Sequence, residues 1–160
     1  MKNYSYKDSA WALIDALNGS FSGSGQKGLS TITISMATER TVTDVSADGT
    51  VQVSYVSGDN GVTSIEMQQT SDAYNFFVNC YNAAKAAADS GNSIYWAART
   101  MTIRDLTSGL THVLRGISFA KLPDYPRAAQ GQKVTWTLPC AEVITMPGSS
   151  NIAQLLTSLI

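Results

Sequence analysis

The stretch LSTITISMA, residues 29–37, limits what this chain can fold into more than any other segment. Ile32, Ile34 and Met36 alternate with Thr31, Thr33 and Ser35. A period of two with β-branched side chains describes a strand with one face on a core and the other in water. The period returns in TVQVSYV at 50–56 and VTSIEMQQT at 62–70. SGDNG between them is rich in residues that tolerate positive φ, so these two segments are expected to form a central hairpin. AWALIDALNG at 10–19 reads as a strand closed by Asn-Gly, and 99–106 with 110–120 as a second hairpin around TSG. A last long strand covers 133–146, where Pro139 predicts an edge or a bulge.

The period changes once. In residues 71–91 the apolar positions Tyr74, Phe77, Val78, Tyr81, Ala84 and Ala88 recur at three and four, with Ser71 or Asp72 to cap the start and Gly91 to close the end. This predicts one helix, about residues 72–89, lying on a sheet. The tail SSNIAQLLTSLI at 149–160 carries Ile152, Leu155, Leu156 and Leu159 on one side of a short helix, and an exposed stripe of that kind is expected to dock on its own subunit or a neighbour. The chain thus reads as a single mainly β domain over residues 1–160.

GSGQKG at 23–28 fits the G-x-G-x-x-G spacing of dinucleotide sites. That motif needs a helix N-terminus behind it to meet a pyrophosphate, and here a strand follows. Residues 18–28 are instead expected to form a flexible Gly/Ser connection. Other chemistry is sparse. His112 is the single histidine, set among Val113 and Leu114, which predicts a structural or surface role. Zinc would need further His or Cys ligands near it. GSFSG has Phe21 where a nucleophile elbow needs serine. Cys80 and Cys140 have no C-x-x-C partner and are expected to be buried thiols. No enzymatic activity, cofactor or metal is expected.

Charged residues make up only 14% of the chain, and 11 Lys and Arg stand against 12 Asp and Glu without clustering. Tight nucleic-acid binding needs many cations on phosphates, so it is not expected. The low charge suits a surface that mostly meets copies of itself. No apolar run approaches membrane-spanning length and the first residues hold no signal-like apolar core, so the chain is expected to mature in a cytoplasm, away from membranes.

Read literally, the alternation puts Thr31, Thr33, Ser35, Thr50, Gln52, Ser54, Ser64, Glu66 and Gln68 on one face, with one acid and no Lys or Arg. Residues 38–49 form a polar arm bearing Glu39, Arg40, Asp44 and Asp48. A small barrel holding an apolar ligand near Tyr74, Phe77 and Trp136 would share this pattern, but as a monomer with an enclosed pocket.

The N-terminal YSYKD, the ADG turn at 47–49, the SGDNG segment running on to QTS at 69–71, and TIRD at 102–105 together resemble the inner tail tube proteins of tailed phages, mostly contractile-tailed ones. The resemblance spans nearly the whole chain, and the segment after Pro147 departs from it. It implies a β-barrel or sandwich with one flanking helix, similar to the haemolysin-coregulated tube protein of type VI secretion. It also implies six-fold rings stacked into a hollow conduit for DNA ejection, within a virion tail assembled in the host cytoplasm. Implied partners are further copies, the tail sheath, the tape measure, and baseplate or tail-terminator proteins. Under this resemblance Thr50, Gln52, Ser54, Ser64, Glu66 and Gln68 are expected to line the bore, which DNA crosses without specific binding. Glu39, Arg40, Asp44 and Asp48, with Phe21 and Lys27 in the Gly/Ser connection, are expected at contacts between subunits or rings.

Overall fold

The computed structural model describes residues 9–24 and 29–148. Nine strands follow in order: β1 (Ser9–Asp15), β2 (Gly19–Ser24), β3 (Leu29–Met36), β4 (Thr41–Val45), β5 (Val51–Tyr55), β6 (Gly61–Gln68), β7 (Arg99–Asp105), β8 (Thr111–Ile117) and β9 (Lys133–Met146). One helix, α1 (Asp72–Asp89), and a 3-10 turn, Ser93–Ala97, lie between β6 and β7. Seven strands make one antiparallel sheet in the order β2-β1-β7-β8-β9-β6-β3, curled into a half-barrel, and β4 and β5 form a separate two-stranded sheet. The fold is mainly β, as the alternation predicts.

The inward face holds Trp11 and Leu13 of β1, Met101 of β7, Leu114 and Ile117 of β8, Ile65 and Met67 of β6, and Trp136 and Leu138 of β9. Helix α1 closes it with Ala73, Phe77, Cys80 and Ala84, all buried. Ser71 caps the helix, its Oγ accepting from Tyr74 N at 3.2 Å. Trp136 is the hub, with ring centroids 5.4 Å from Phe119, 5.8 Å from Phe77 and 6.1 Å from Tyr74. Inward-facing positions change parity together on β8, between Leu114 and Ile117, and on β9, between Cys140 and Val143. Gly116 lies in that interval with φ 65°, a conformation open chiefly to glycine, and the sheet turns there.

Three expectations are corrected. Residues 50–56 do not pair with 62–70. β5 pairs with β4 around the Asp48-Gly49 turn, where Gly49 has φ 87°, and β6 pairs with β3 and β9. Alternation marks a strand but not its partner, and the chain held two turn signals in succession; the tighter one forms the hairpin. Residues 57–60 instead tie two strands together, with Val143 N donating to Asp59 O at 2.8 Å and Ala37 N to Asn60 O at 3.0 Å. Second, part of the Gly/Ser connection is the strand β2, paired with β1 from Asp15↔Gly19 to Ala10↔Ser24. Its composition disfavours a strand, but the Asn-Gly turn and the packing of Phe21 on Trp11 and Phe76 offset that. Third, β9 is not an edge. It runs between β8 and β6, with Pro139 opposite Val62 and its carbonyl accepting from Ser118 N at 2.9 Å. The expected C-terminal helix lies outside the described residues.

Candidate assembly surfaces

The outward face of the β3-β6-β9 sector is built in rows. Thr31, Glu66 and Thr135 stand side by side, as do Thr33, Ser64 and Thr137, and Gln68 lies opposite Lys133. All are open or half-open to solvent. Hydroxyls therefore dominate, and the charges come in pairs. Lys133 Nζ lies 3.6 Å from Glu66 Oε1, and further round the sheet Arg115 Nη1 lies 3.9 Å from Glu142 Oε2. The expected absence of cations from this face is thus corrected. Lys133 comes from a strand outside the three first assigned to this face and is met by Glu66, while Arg115 on β8, paired with Glu142, and Arg104 on β7 lie further round the sheet.

Among the described residues β3 pairs only with β6, and β2 only with β1. The sheet thus ends in two edges whose outer N–H and C=O groups find no strand, which natural proteins cover, charge or use for pairing.

The third surface is the β4–β5 arm. None of residues 41–55 is buried. By register Thr41, Thr43 and Val45 share a face with Tyr55, Val53 and Val51, whereas Val42 and Asp44 lie with Ser54 and Gln52 on the other. The first face is an apolar stripe, with Val45 64%, Val53 65% and Tyr55 75% exposed. A two-stranded ribbon with no covering partner is marginal in water.

Charge fixes the arm's two ends within the subunit. At its base Arg40 pairs with the Asp59 carboxylate and reaches the Tyr55 hydroxyl at 3.3 Å. The hydrogen bond it donates to Asp59 holds the guanidinium above its ordinary pKa. At its tip Asp48 accepts from Ser46 Oγ and from Thr50 N at 3.0 Å. These bonds, that from Ser46 foremost, pull the Asp48 carboxyl down to about 2. Arg40 and Asp48, expected to face a neighbour, are thus already engaged inside their own chain. Glu39 and Asp44 are exposed. Phe21 is half-buried, its ring stacked at 5.1 Å on Phe76, and Lys27 lies outside the described residues. Of the six residues assigned to a lining, Ser64, Glu66 and Gln68 lie on β6, whereas Gln52 and Ser54 lie on the arm and Thr50 at its turn. The alternation of Val51, Val53 and Tyr55 reads as an apolar face shared with Ile65 and Met67, whereas the pairing puts these three on the arm beside Thr41, Thr43 and Val45.

His112 bonds across the sheet, Nδ1 to Thr145 Oγ1 at 3.0 Å, and burial lowers its pKa. Cys80 and Cys140 are buried free thiols. No group of three or more His, Cys, Asp or Glu among the described residues is placed to hold a metal ion. No helix among them is long and apolar enough to cross a membrane.

The fold is similar to that of chains from tube-terminating, baseplate and terminator assemblies of contractile injection systems. A chain of the anti-feeding prophage baseplate aligns with TM-score 0.61 at 10% identity, covering 93% of this chain and 99% of that one. One of the anti-feeding prophage tube-terminating cap aligns at 0.58 and 8%, covering 92% and 93%. One of the sheath/tube terminator of the extracellular contractile injection system PVC aligns at 0.56 and 10%, covering 91% and 98%. No curated protein sequence matches. The family model described as Bacteriophage PhiTE tail tube protein matches residues 1–148, and the chain belongs to that family. It is a structural component of a phage tail.

Proposed function

We propose that the subunit forms six-fold rings that stack into the inner tube of the tail, through which DNA passes at ejection. The observation that carries this reading is the pair of open edges, β2 and β3, at opposite ends of one curled sheet. A contact between two different edges is heterologous and closes into a ring when the rotation per subunit divides a full turn. The β3-β6-β9 face then lines the bore with Thr31, Thr33, Ser64, Glu66, Gln68, Thr135 and Thr137. Unpaired cations would hold phosphates, while a hydroxyl wall with Lys133 answered by Glu66 leaves DNA hydrated and free to slide. Thr50, Gln52 and Ser54 belong to the arm, whose apolar face reaches a neighbouring copy, together with Glu39 and Asp44. Tail sheath, tape measure and baseplate or terminator proteins are the partners such a tube requires, and assembly takes place in the host cytoplasm before the tail enters the virion.

Negative-stain images of the purified protein test the reading. Rings of six-fold symmetry and hollow tubes are expected. A monodisperse monomer at all concentrations, or solid fibres without a bore, would overturn it.

A further inference from the structure

Between β3 and the β1-β7-β8 end of the sheet lies a groove of about 330 Å³ walled by Trp11, Ile32, Ile34, Ile103 and Leu110, with the polar Ser9, Asp105 and His112 beside them. The Trp11 indole N–H is buried without an acceptor among the described residues. A buried donor in this state keeps its full desolvation cost, so something that brings an acceptor to Trp11 is favoured. The last pairing of β9, Met146 with Thr111, delivers the chain to this place. Gly148 packs so closely on the β7–β8 turn that a Cβ there would stand 3.0 Å from Ser108 O. Leu110 and His112, which both line the groove, follow directly in sequence. The twelve residues beyond Gly148 contain no charge, and Ile152, Leu155, Leu156 and Leu159 recur at helical spacing. Wound as a helix they would span about 18 Å, and extended about 40 Å, either of which crosses the groove.

We propose that residues 149–160 fold back on their own subunit and seat this aliphatic stripe in the groove, a carbonyl of the segment accepting from Trp11 Nε1. Two other occupants are conceivable on geometry. The segment before Ser9 is also tethered beside the groove, but it offers Lys2, Lys7 and Asp8 and no Ile, Leu or Val to the aliphatic wall. The arm of a second copy presents valines, but it would have to arrive from another molecule, whereas the tail is tethered at the lip and benefits from a high effective concentration.

A benzophenone amino acid placed at position 156 of the full chain tests the proposal. Isotopically light and heavy subunits are mixed under dilute, unassembled conditions, and crosslinks are mapped by mass spectrometry. Crosslinks from position 156 to peptides containing Ile32 to Ile34 or Ile103 to Leu110, within one isotope label, are expected. Crosslinks that join light to heavy chains, or that land away from the groove, would overturn it. In parallel, removing residues 149–160 should raise the fluorescence of added anilinonaphthalene sulfonate several-fold. Ile34→Asp in the truncated chain should bring it back toward the full-length signal. An unchanged signal on truncation would mean another occupant, such as residues 1–8, and would also overturn the proposal. None of these outcomes depends on ring formation.

Discussion

Arg99 and Asp15 face each other across β7 and β1 with Nε and Oδ2 3.9 Å apart, and neither side chain is more than 1% exposed. Arg99 also donates to Trp96 O at 3.0 Å, Ile117 O at 3.2 Å and Tyr95 O at 3.0 Å, and its guanidinium lies 4.5 Å from the Phe119 ring centre. Asp15 accepts from Leu17 N and Asn18 Nδ2, each at 3.1 Å. Burial lowers the guanidinium pKa and the neighbouring carboxylate opposes that fall. The pair therefore pins the Asn-Gly turn and the 3-10 turn to the same point under the helix. Arg99→Met should lose about 3–5 kcal/mol of unfolding free energy in urea, because Asp15 is left as a lone buried charge. Adding Asp15→Asn should recover part of it. A loss under 1 kcal/mol in the single variant would show that the pair does not carry this load.

The two thiols should be inert in the folded protein. Burial is the leading cause that pushes both Cys80 and Cys140 up, and a hydrogen bond to the Asp15 carboxylate adds to it at Cys80. Neither should react with a thiol reagent at pH 8 until denaturant is added. The folded state holds both protons after the unfolded chain begins to release them near pH 8.5. Stability conferred by the neutral thiols is therefore complete below that pH and falls above it, by up to about 1.4 kcal/mol per pH unit for each. Chemical denaturation at pH 8, 9 and 10 measures the slope, and Cys80→Ala should flatten it.

Gly61→Ala should be costly although alanine is a small residue. A Cβ at Gly61 would stand 2.5 Å from Ser35 O and 2.7 Å from Val143 Cγ2, one a backbone atom of the paired strand. A loss of about 1–3 kcal/mol is expected in thermal unfolding. Gly131→Ala, with open space around it, should be neutral.

Val45→Asp and Val53→Asp change an exposed face, so the monomer should keep its stability within about 0.5 kcal/mol. Elongation should be lost. Sedimentation and electron microscopy separate the two effects, and normal tubes from the double variant would remove the arm from the contact.

Thr33→Lys with Ser64→Lys places two unanswered cations in one row of the outward face. Tubes should form as before while DNA ejection slows several-fold, more at low salt than at high. Ejection at the parental rate would show that this face does not line the bore.

Much of the fold was legible in the sequence, because period and caps are local. Ile32, Ile34 and Met36 announce a strand, and Tyr74, Phe77 and Tyr81 a helix, whatever else the chain does. Pairing was not legible. Thr50 to Tyr55 had turn signals on both sides, and only the choice of the Asp48-Gly49 turn separates an arm from a central hairpin. The same ambiguity divided the expected lining between two sheets, since Thr50, Gln52 and Ser54 belong to the arm while Ser64, Glu66 and Gln68 lie on β6. Charge partners were equally hidden. Nothing local joins Arg40 to Asp59 or Lys133 to Glu66, because each pair meets only after the strands have chosen neighbours. Gly19–Ser24 shows the reverse case, a segment of poor strand composition recruited by its neighbour β1.

The unsupported ribbon at 41–55 has a kinetic consequence. A segment held only at its root by Arg40 and Asp59 should exchange its amide hydrogens quickly in a lone subunit and slowly once another molecule covers it. In the proposed tube, joining the polymer would complete the subunit's own ordering. Two free molecules, each with a loose ribbon, make a poor starting pair, while a rigid pre-existing platform makes a good one. Growth of the proposed tube would then wait for a seed, and its length could be set by whatever ends it.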